Sequence, residues 1–368
     1  MPELHAESYV IKHREDIEHE WNDLQQRANH SYFQSWGWIG IWLDQIAIEL
    51  QPIVLKIYRQ DRLIGLGLFV SKDIKRRVIF HARAMLLNEY PFEGKNMIVE
   101  YNGLIAERGY EEAVYAETIA HLYEEYQQFD EFHFGAIAEE PDFGILKKSV
   151  GHKLKLLVNE VSMAWQVDLE SFSPGLESYL ASLSKNSRQQ IRRSIRLYEE
   201  QAPLTLIEAK TVEEALSFFE SMRVFHVRRW RSKGEPGSFA NHIWVGFHKR
   251  LIQERFAHGE IQMIKVASGD SNIAFLFNYV WQQRVYVLQM GFNYAEDKRL
   301  KPGYVAHALV IAYNQSKGIR IYDFMHGDAR YKRSLGSRKV ILYWVVVQRK
   351  RFKFAVEDAA RTLLRKFR

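Results

Sequence analysis

The hydrophobic pattern of the chain repeats one plan twice. In the second half, two apolar runs, Ile261–Ala267 and Asn272–Trp281, flank a Gly-Asp turn and predict a β-hairpin. A third strand, a helix and a fourth strand follow this hairpin. The first half shows the same order about 200 residues earlier, beginning with the runs Ile53–Tyr58 and Leu63–Val70. A repeat of this size indicates the duplication of one α/β domain.

The repeat predicts two domains followed by a terminal helix. We place the domains at residues 1–165 and 166–347, with the seam around Asn159–Ser173. The segment 348–368 has apolar residues on one side and basic ends, which is typical of an amphipathic helix. We expect this helix to dock on the protein's own core, and the alternative is contact with an anionic membrane surface. The predicted fold class is therefore α/β (α+β) with tandem domains.

The segment Arg284–Gly336 holds most of the candidate chemistry. Val285–Met290 predicts a buried strand, and the basic turn Lys298–Gly303 precedes a helix that Pro302 opens. The first turn of a helix has unpaired N–H groups and the positive end of the helix dipole, so it favours an anion. The next strand, Ile319–Phe324, runs into a cluster of ionisable residues at the end where α/β proteins often bind ligands. The segment predicts a phosphate site at the turn, although an ordinary βαβ unit with a solvated turn would show similar spacing.

Composition excludes several kinds of chemistry. The 368 residues contain no cysteine, which removes disulfides, thiolate nucleophiles and cysteine-ligated zinc, and which suits a cytoplasmic setting. The 14 histidines show no metal-ligand spacing, so no metal is expected. Dinucleotide, P-loop, zinc-protease, serine-hydrolase and EF-hand motifs are all missing from the sequence. A formal net charge of +6 indicates an anionic partner without identifying it.

Three segments of the second half resemble a known family. They are Leu183–Arg188 with Ile191–Arg193, Phe225–Trp230 with Gly234 and Gly237–Phe239, and Asp323–Phe324 with Gly327–Asp328 and Tyr331–Lys332. These segments are similar to the BioF2-like (CelD-like) acyltransferases, a group of the GNAT superfamily that is related to the FemAB proteins. The resemblance extends from about Tyr179 to Gly336 and is much weaker over the first half.

The resemblance implies a fold, a reaction and a co-substrate. The implied fold is a pair of tandem GNAT-like domains, of which the first has no matching motif and supports the fold or the acceptor cleft. The implied reaction is direct acyl transfer from acyl-coenzyme A to an amine, or less often a hydroxyl, without a covalent enzyme intermediate. The implied acceptor is a small molecule such as a sugar nucleotide or a lipid-linked sugar, in polysaccharide or envelope synthesis.

The candidate site residues form three groups. The catalytic group is His226, Asp323, Tyr331 and Lys332. The group expected to bind coenzyme A is Val287, Leu288, Gln289, Arg299, Lys301, Gly303, Tyr304, Val305 and Ala306. The group expected to bind the acceptor is Arg188, Arg192, Arg229, Trp230, His326 and Asp328.

Each catalytic candidate also has a purely structural interpretation. His226 has a pKa range suited to a general base, but a histidine on an apolar helix face is often only a core residue. Asp323 could orient a base or simply pair with Arg320. Tyr331 and Lys332 could bind phosphate, polarise the thioester carbonyl or form a surface turn. Arg188, Arg192 and Arg196 recur every four residues and form an arginine stripe, which fits either an anion site or a solvated helix face.

Two other functions remain open at the level of sequence. One is an aminoacyl transferase that uses charged tRNA, as FemAB relatives do, although their long inserted helical arm is not visible here. No RNA-binding motif occurs, so nucleic acid is not the expected partner. The other is a non-catalytic accessory protein of polysaccharide synthesis, which turnover of acyl-coenzyme A would rule out.

Overall fold

Helices and strands alternate along the chain, as the α/β class requires. The computed structural model describes residues 4–47, 50–76, 81–89 and 99–366, with side chains except at 46–47 and 361–366. The elements of the first half are β1 (Leu4–Val10), α1 (Glu15–Arg27), α2 (Trp36–Trp42), β2 (Ile53–Arg59), β3 (Arg62–Lys75), β4 (His81–Leu87), β5 (Ile105–Ala106), α3 (Glu111–Glu125), β6 (Glu131–Ala138), α4 (Gly144–Ser149) and β7 (Leu154–Asp168). Those of the second half are α5 (Leu176–Ser182), α6 (Lys185–Glu199), β8 (Leu204–Glu208), α7 (Val212–Arg231), α8 (His242–Arg255), β9 (Ile261–Ser268), β10 (Ser271–Trp281), β11 (Arg284–Phe292), α9 (Pro302–Ser316), β12 (Ile321–His326), α10 (Arg330–Leu335), β13 (Arg338–Arg349) and α11 (Phe352–Lys366).

These elements pack as two compact units. Unit 1 comprises Met1–Ser162 with Ile341–Arg368, and unit 2 comprises Met163–Val340. Most of β13 and all of α11 therefore pack with the first half of the chain. The domain limits expected from the sequence, 1–165 and 166–347, stay a prediction, because the packing units do not test them.

Each unit contains the predicted repeat. In unit 1 the strand order is β1-β2-β3-β4-β6-β13, with β5 paired to β3, and β4 and β6 are parallel. In unit 2 the order is β7-β12-β11-β10-β9-β8, and β11 and β12 are parallel. A hairpin, a strand, a helix and a parallel strand recur as β2-β3-β4-α3-β6 and as β9-β10-β11-α9-β12. The prediction of a duplicated α/β domain is confirmed.

The core of unit 2 explains why α9 lies on the sheet. Val305, Ala308 and Ile311 recur at helical spacing on α9 and are fully buried. They belong to one apolar cluster with Val285 and Val287 of β11. Burying a valine or isoleucine side chain stabilises a protein by roughly 1.5–3 kcal/mol. The beginning of α9 is consequently held beside the end of β11, where the sequence predicts the anion site.

The sequence pattern predicts helix caps at Ser173-Pro174, Ser187 and Thr211, and the structure confirms one of the three. Thr211 caps α7 as predicted, since its side chain accepts a hydrogen bond from the backbone N–H of Glu214 (3.2 Å). The predicted cap at Ser187 is wrong, because α6 begins earlier and Ser184 accepts from the Ser187 N–H (3.2 Å). The predicted cap at Ser173-Pro174 is also wrong, because α5 begins after Gly175. Two serines three residues apart offer the same capping chemistry, so the sequence alone does not select one.

Helix α11 docks on unit 1 through its described side chains. Phe354 and Glu357 are buried, and Lys353 donates to Asp130 (2.6 Å). Lys155 of β7 pairs with Asp358 (2.9 Å). This packing agrees with the expected docking on the protein's own core. Among the described residues, no helix combines the length and the apolar content that crossing a bilayer requires.

Candidate active site

Two parallel strands of unit 2 separate and leave an opening between them. β11 and β12 pair over only three residues each, Arg284–Tyr286 with Ile321–Asp323. β11 then continues to Phe292 and β12 to His326, and within the described part of the chain the two strands do not pair again. We call the opening between residues 287–292 and 324–326 the β11/β12 cleft. Its strand edges carry backbone groups that an extended ligand can bind by strand addition.

A β-bulge shapes the β11 side of this cleft. Asn278 pairs with Val287 and Phe277 pairs with Gln289, so Leu288 has no partner on β10. An extra residue in a strand reverses which face the following side chains point to. Val287 accordingly joins the core under α9, whereas Gln289 donates to Ser238 Oγ (3.2 Å) in the segment after α7. The bulge therefore joins the cleft to the α7 side of the sheet.

One backbone group near the bulge has a replaceable partner. The amide N–H of Met290 donates to Oε1 of the adjacent Gln289 side chain (3.1 Å). A ligand carbonyl placed along β11 could take over this hydrogen bond at little cost, because one acceptor would replace another. The predicted strand-edge residues Val287, Leu288 and Gln289 thus lie where an extended arm could bind.

The N-terminus of α9 lies at the end of the cleft. Pro302 is the first helical residue, and among the described residues the N–H groups of Gly303 and Tyr304 have no hydrogen-bond partner. A Cβ added at Gly303 would lie 3.2 Å from the ring of Phe292, the last residue of β11. Lys301, the residue before Pro302, is held in place because its N–H donates to Ser194 Oγ of α6 (2.8 Å). We call residues 298–304 the α9 cradle.

The α9 cradle has less free positive charge than its three cations suggest, because Arg299 is paired with Asp297. Arg299 binds both carboxylate oxygens of Asp297 at 2.7–2.9 Å, and this guanidinium lowers the pKa of Asp297 to about 2. Arg193 of α6 is close enough to lower the same pKa further. The positive excess of the cradle therefore comes from Lys298, Lys301 and Arg193, while Arg299 is partly neutralised. Val305 and Ala306 are buried and can offer only backbone groups.

The arginine stripe of α6 faces another helix. Arg192 forms an ion pair with Glu177 of α5, and Arg188 donates to the carbonyl of Ala181 (3.2 Å). Neither side chain is brought to the α9 cradle by these contacts. α6 instead reaches the cradle through Ser194 and Arg193, on a neighbouring part of the helix. Acceptor binding by Arg188 and Arg192 stays a prediction.

His226 lies in an aromatic cage on α7. It is 3 % exposed, and its ring lies 4.9 Å from that of Phe239 and 5.7 Å from that of Trp230. Gly237 closes the cage in a left-handed conformation (φ 66°), and a Cβ there would lie 2.6 Å from Cε1 of His226. Nδ1 is buried and has no hydrogen-bond partner among the described residues. Burial lowers the pKa of His226 to about 4, so the imidazole is neutral near pH 7.

Asp323 holds the end of β12 rather than His226. Its carboxylate accepts from Gln166 Nε2 of β7 (2.8 Å) and from the Met325 N–H (2.7 Å), and it lies 3.7 Å from Arg284. Met325 has φ 60°, so the carboxylate stabilises a left-handed residue at the register shift in the pairing of β12 with β7. The partner considered from sequence, Arg320, pairs instead with Glu170. Within the described residues no hydrogen bond joins Asp323 to His226.

Tyr331 of α10 contacts both sides of the cleft. Its ring packs on Phe324 of β12 (6.0 Å), and its hydroxyl lies 3.9 Å from the sulfur of Met290 of β11. Burial raises the pKa of Tyr331, so the phenol keeps its proton. Sulfur is a weak acceptor, which leaves this proton available to a better one. The adjacent Lys332 is buried and donates to the carbonyls of Met325 (3.1 Å) and His326 (2.5 Å).

The remaining acceptor candidates fall into two places. Arg229 lies over the ring of Tyr294 (4.7 Å), and Trp230 packs on His226, so both border the α7 side. His326 is the last residue of β12 and Asp328 follows it, and Asp328 accepts from Trp165 Nε1 (2.9 Å) and Arg333 (3.0 Å). The fold thus separates a pair near His226 from a pair at the end of β12.

His307 belongs to the site but was not predicted from the sequence. It is fully buried on α9, stacks on Tyr331 (5.5 Å between ring centroids) and contacts Phe292 and Phe324 from the two strands of the cleft. Nδ1 bonds the hydroxyl of Tyr322 (2.9 Å), and Nε2 has no partner among the described residues. Burial lowers its pKa to about 3. A single histidine inside an otherwise apolar helix face was the signal that could have identified it.

We expect His307 to make the protein less stable in acid. Between pH 6.5 and about 3 the unfolded chain binds a proton that the folded protein excludes, so stability falls as pH falls through this window. From about pH 7.5 to about pH 5, the loss for this residue is about 2 kcal/mol. Urea unfolding at both pH values should show a loss smaller by that amount in His307→Gln than in the unmodified protein. An identical pH dependence in the two proteins would contradict the assignment.

The equivalent opening in unit 1 is occupied by the chain. β4 and β6 also pair over three residues each, Ala84–Leu86 with Glu131–His133. Beyond them, the Asn102 N–H donates to the Ala136 carbonyl of β6 (3.2 Å), and its side chain donates to the Leu87 carbonyl of β4 (2.8 Å). The helix that follows, α3, has two glutamates in its first turn, which disfavour an anion. These contacts favour unit 2 as the unit that binds the ligand.

The described residues offer no site for a metal. Within them, no three histidine, aspartate or glutamate side chains converge as metal ligands would. The groups that the site does present are unpaired backbone N–H groups, a neutral imidazole and a protonated phenol.

Comparison with known proteins identifies the enzyme class. Residues 185–333, which carry the site, match the family model described as an acetyltransferase (GNAT) domain. No curated protein matches the chain. The prediction that the protein is an acyltransferase enzyme is confirmed by the domain match, while membership of the BioF2-like group stays a prediction.

Solved structures with the same fold cover nearly the whole chain. FemX is 9 % identical with a TM-score of 0.58, over 93 % of this chain and 96 % of FemX. A conserved protein of unknown function from Bacteroides thetaiotaomicron is 10 % identical with a TM-score of 0.57, over 92 % and 99 %. The C-terminal domain of a putative lysylphosphatidylglycerol synthetase from Agrobacterium fabrum is 10 % identical with a TM-score of 0.56, over 95 % of both chains. At this identity the likeness concerns the fold, and it confirms the tandem architecture.

Proposed function

We propose that the protein is a GNAT-type N-acyltransferase that uses acyl-coenzyme A and transfers the acyl group directly to an amine. The observation that carries this proposal is the β11/β12 cleft ending at the α9 cradle. An extended arm with amide groups fits an unpaired strand edge, and a diphosphate fits the free N–H groups at a helix N-terminus. Coenzyme A combines both features in one molecule.

Residues of the cradle and of β11 would hold the two parts of the donor. The N–H groups of Gly303 and Tyr304 would bind the diphosphate, with Lys298 and Lys301 adding positive charge. The edge of β11 near Met290 would bind the pantetheine arm. A carbonyl of the arm would then replace Oε1 of Gln289 as the acceptor of the Met290 N–H. The thioester would then lie near the bulge at Leu288, between Tyr331 on one side and the His226 region on the other.

Two side chains would manage the protons of the reaction. The amine attacks the thioester carbonyl, so a C–N bond forms and the C–S bond breaks. The neutral imidazole of His226 would accept the proton that the amine loses, and Tyr331 would donate its proton to the departing thiolate. Asp323 and Lys332 would position the end of β12, because their hydrogen bonds go to that strand.

The acid limb of the activity profile tests His226. Because burial lowers its pKa to about 4, the imidazole stays able to accept a proton well below pH 6.5. We expect protonation of His226 to lower kcat/KM only near pH 4. Circular dichroism at each pH would verify that the protein is folded. His226→Gln should lower kcat by about 10²–10⁴-fold across the plateau. A variant with unchanged kcat would remove His226 from the mechanism.

Coenzyme A release provides a direct test of the function. The chain contains no cysteine, so a thiol reagent added to the reaction reports only free coenzyme A. We expect acetyl-coenzyme A or longer acyl-coenzyme A to raise the thermal midpoint, and an amine acceptor such as an amino-sugar nucleotide to stimulate thiol release. An unchanged thermal midpoint in millimolar acyl-coenzyme A would overturn the proposal. Turnover with aminoacyl-tRNA in place of acyl-coenzyme A would establish the alternative donor.

The acceptor class follows from the resemblance and from charge. The proposed acceptor is a sugar nucleotide or a lipid-linked sugar in polysaccharide or envelope synthesis. Such molecules carry phosphate, which suits a chain with a formal net charge of +6.

A further inference from the structure

The outer face of α7 lines a large groove. The inner face of this helix, with Phe219, Met222 and His226, is buried. The outer face presents residues at helical spacing that line a cavity of about 790 Å³ together with the segment after the helix. The lining residues are Glu220, Arg223, Val224, Val227, Arg228, Arg231, Pro236, Phe239 and Ala240. We call this feature the α7 groove.

The groove has an excess of positive charge. It contains three arginines and one glutamate, and Glu220 is already paired with Lys249 (2.5 Å) and Arg223 (3.3 Å). Arg228 and Arg231 have no ion pair among the described residues. Guanidinium groups bind phosphate and carboxylate in a two-pronged geometry, so these two side chains can receive an anion.

The same groove has an apolar lining. Val224 is 57 % exposed, and Val227, Pro236 and Phe239 line the groove beside the arginines. Arg228 and Arg231 are in the last turn of α7, where arginine side chains also complement the helix dipole. The dipole does not explain the exposed Val224, which lies about two turns before the end of α7 and lines the same groove. A ligand that matches the whole groove has an anionic group next to an apolar segment.

The groove shares a wall with the proposed reaction site. Phe239 lines the groove, and its ring lies 4.9 Å from that of His226. The neighbouring Ser238 accepts a hydrogen bond from Gln289 at the β11 bulge (3.2 Å). A molecule bound in the groove is therefore separated by a single aromatic ring from the side chain that would accept the proton.

We propose that the α7 groove anchors the acceptor, and that this acceptor is an anionic amphiphile with a phosphate or carboxylate beside an apolar chain. The proposal rests on the proposed function and narrows its acceptor class to molecules that carry an apolar chain beside the anion. Arg228 and Arg231 bind the anion, Val224, Val227 and Phe239 contact the apolar part, and the nucleophilic end of the molecule extends past Phe239 towards His226.

Binding of model amphiphiles to the full-length protein tests this assignment. Isothermal titration would compare dodecyl phosphate, kept below its micelle concentration, with inorganic phosphate and with neutral dodecyl glucoside. We expect dodecyl phosphate to bind more tightly than either. Arg228→Gln with Arg231→Gln should weaken its binding by about tenfold or more, because two charge-assisted hydrogen bonds are lost. Val224→Ser should weaken the binding of dodecyl phosphate without changing the binding of inorganic phosphate.

A matched arginine and a donor assay separate the outcomes. Arg83→Gln removes an exposed arginine of unit 1 and should leave the binding of dodecyl phosphate unchanged. Equal binding of dodecyl phosphate to the double variant and the unmodified protein would overturn the groove, as would an equal loss in Arg83→Gln. Acyl-coenzyme A should stabilise the double variant as much as the unmodified protein. If acyl-coenzyme A binds neither protein, the proposed donor fails, whereas the titrations still decide on the groove.

Discussion

Replacing Tyr331 with phenylalanine should lower kcat by about 10²–10⁴-fold, the range typical of a lost general acid. The phenol contacts both strands of the cleft, and burial keeps it protonated, so it is placed to protonate a departing thiolate. The folded structure should tolerate the change, because the only hydroxyl contact among the described residues is a 3.9 Å approach to the Met290 sulfur. Steady-state kinetics by thiol release would measure the effect.

Tyr313→Phe is the matched control for this substitution. Tyr313 is on α9 in the same unit, and its hydroxyl donates to Glu208, outside the site. The control should keep kcat and KM within about twofold. A Tyr331→Phe enzyme that is as fast as the control would show that Tyr331 only packs against His307 and Phe324. An unchanged donor affinity with a lower kcat would place its role in the chemical step.

Gly303→Glu should weaken the affinity for acyl-coenzyme A by about a hundredfold, or about 2.7 kcal/mol. A carboxylate would stand at the cradle where the diphosphate is proposed to bind, and the new Cβ would lie 3.2 Å from the Phe292 ring. Both effects oppose binding of an anion at the helix N-terminus. Titration of coenzyme A against the thermal midpoint would give the affinity.

Gly246→Glu provides the corresponding control. Gly246 lies within α8, and a Cβ there would meet no atom within 4 Å. The same carboxylate is thus added to a helix of the same unit without crowding, and glutamate favours a helix more than glycine does. Equal affinities of the two variants for coenzyme A would contradict the α9 cradle, whatever their activities.

The repeated plan and the start of α9 could be predicted because they depend on local patterns. A dense run of apolar residues identified β11, and Pro302 identified the start of α9. The β-bulge could not be predicted in this way, because Leu288 is an apolar residue in an apolar strand. Only its pairing with β10 shows that one residue is extra. The separation of β11 from β12 likewise depends on pairing that the sequence does not display.

Partners that are distant along the chain explain most of the differences at the site. One interpretation of the sequence paired Asp323 with Arg320, three residues away, but Asp323 accepts from Gln166, a residue of β7. Arg192 could have faced the cradle, but α5 places Glu177 beside it. His226 was identified because a family motif coincides with its position, whereas no motif marked His307. Local sequence predicts an element and its chemistry, while the partner of each polar group depends on the tertiary fold.

Asn102 of unit 1 donates hydrogen bonds to both β4 and β6, and these bonds affect how readily the ends of the two strands open. There the chain itself supplies the bonds that join the two parted strands, so this unit needs no ligand to protect their ends. In unit 2 the described residues form no such bridge, so we expect its strand ends to exchange amide hydrogens quickly until the proposed donor binds. Hydrogen exchange of residues 287–292 should slow by about tenfold or more with saturating coenzyme A, while that of residues 84–87 should not change. One half of the duplicated fold would thus be permanently closed, and the other would close once in each catalytic cycle.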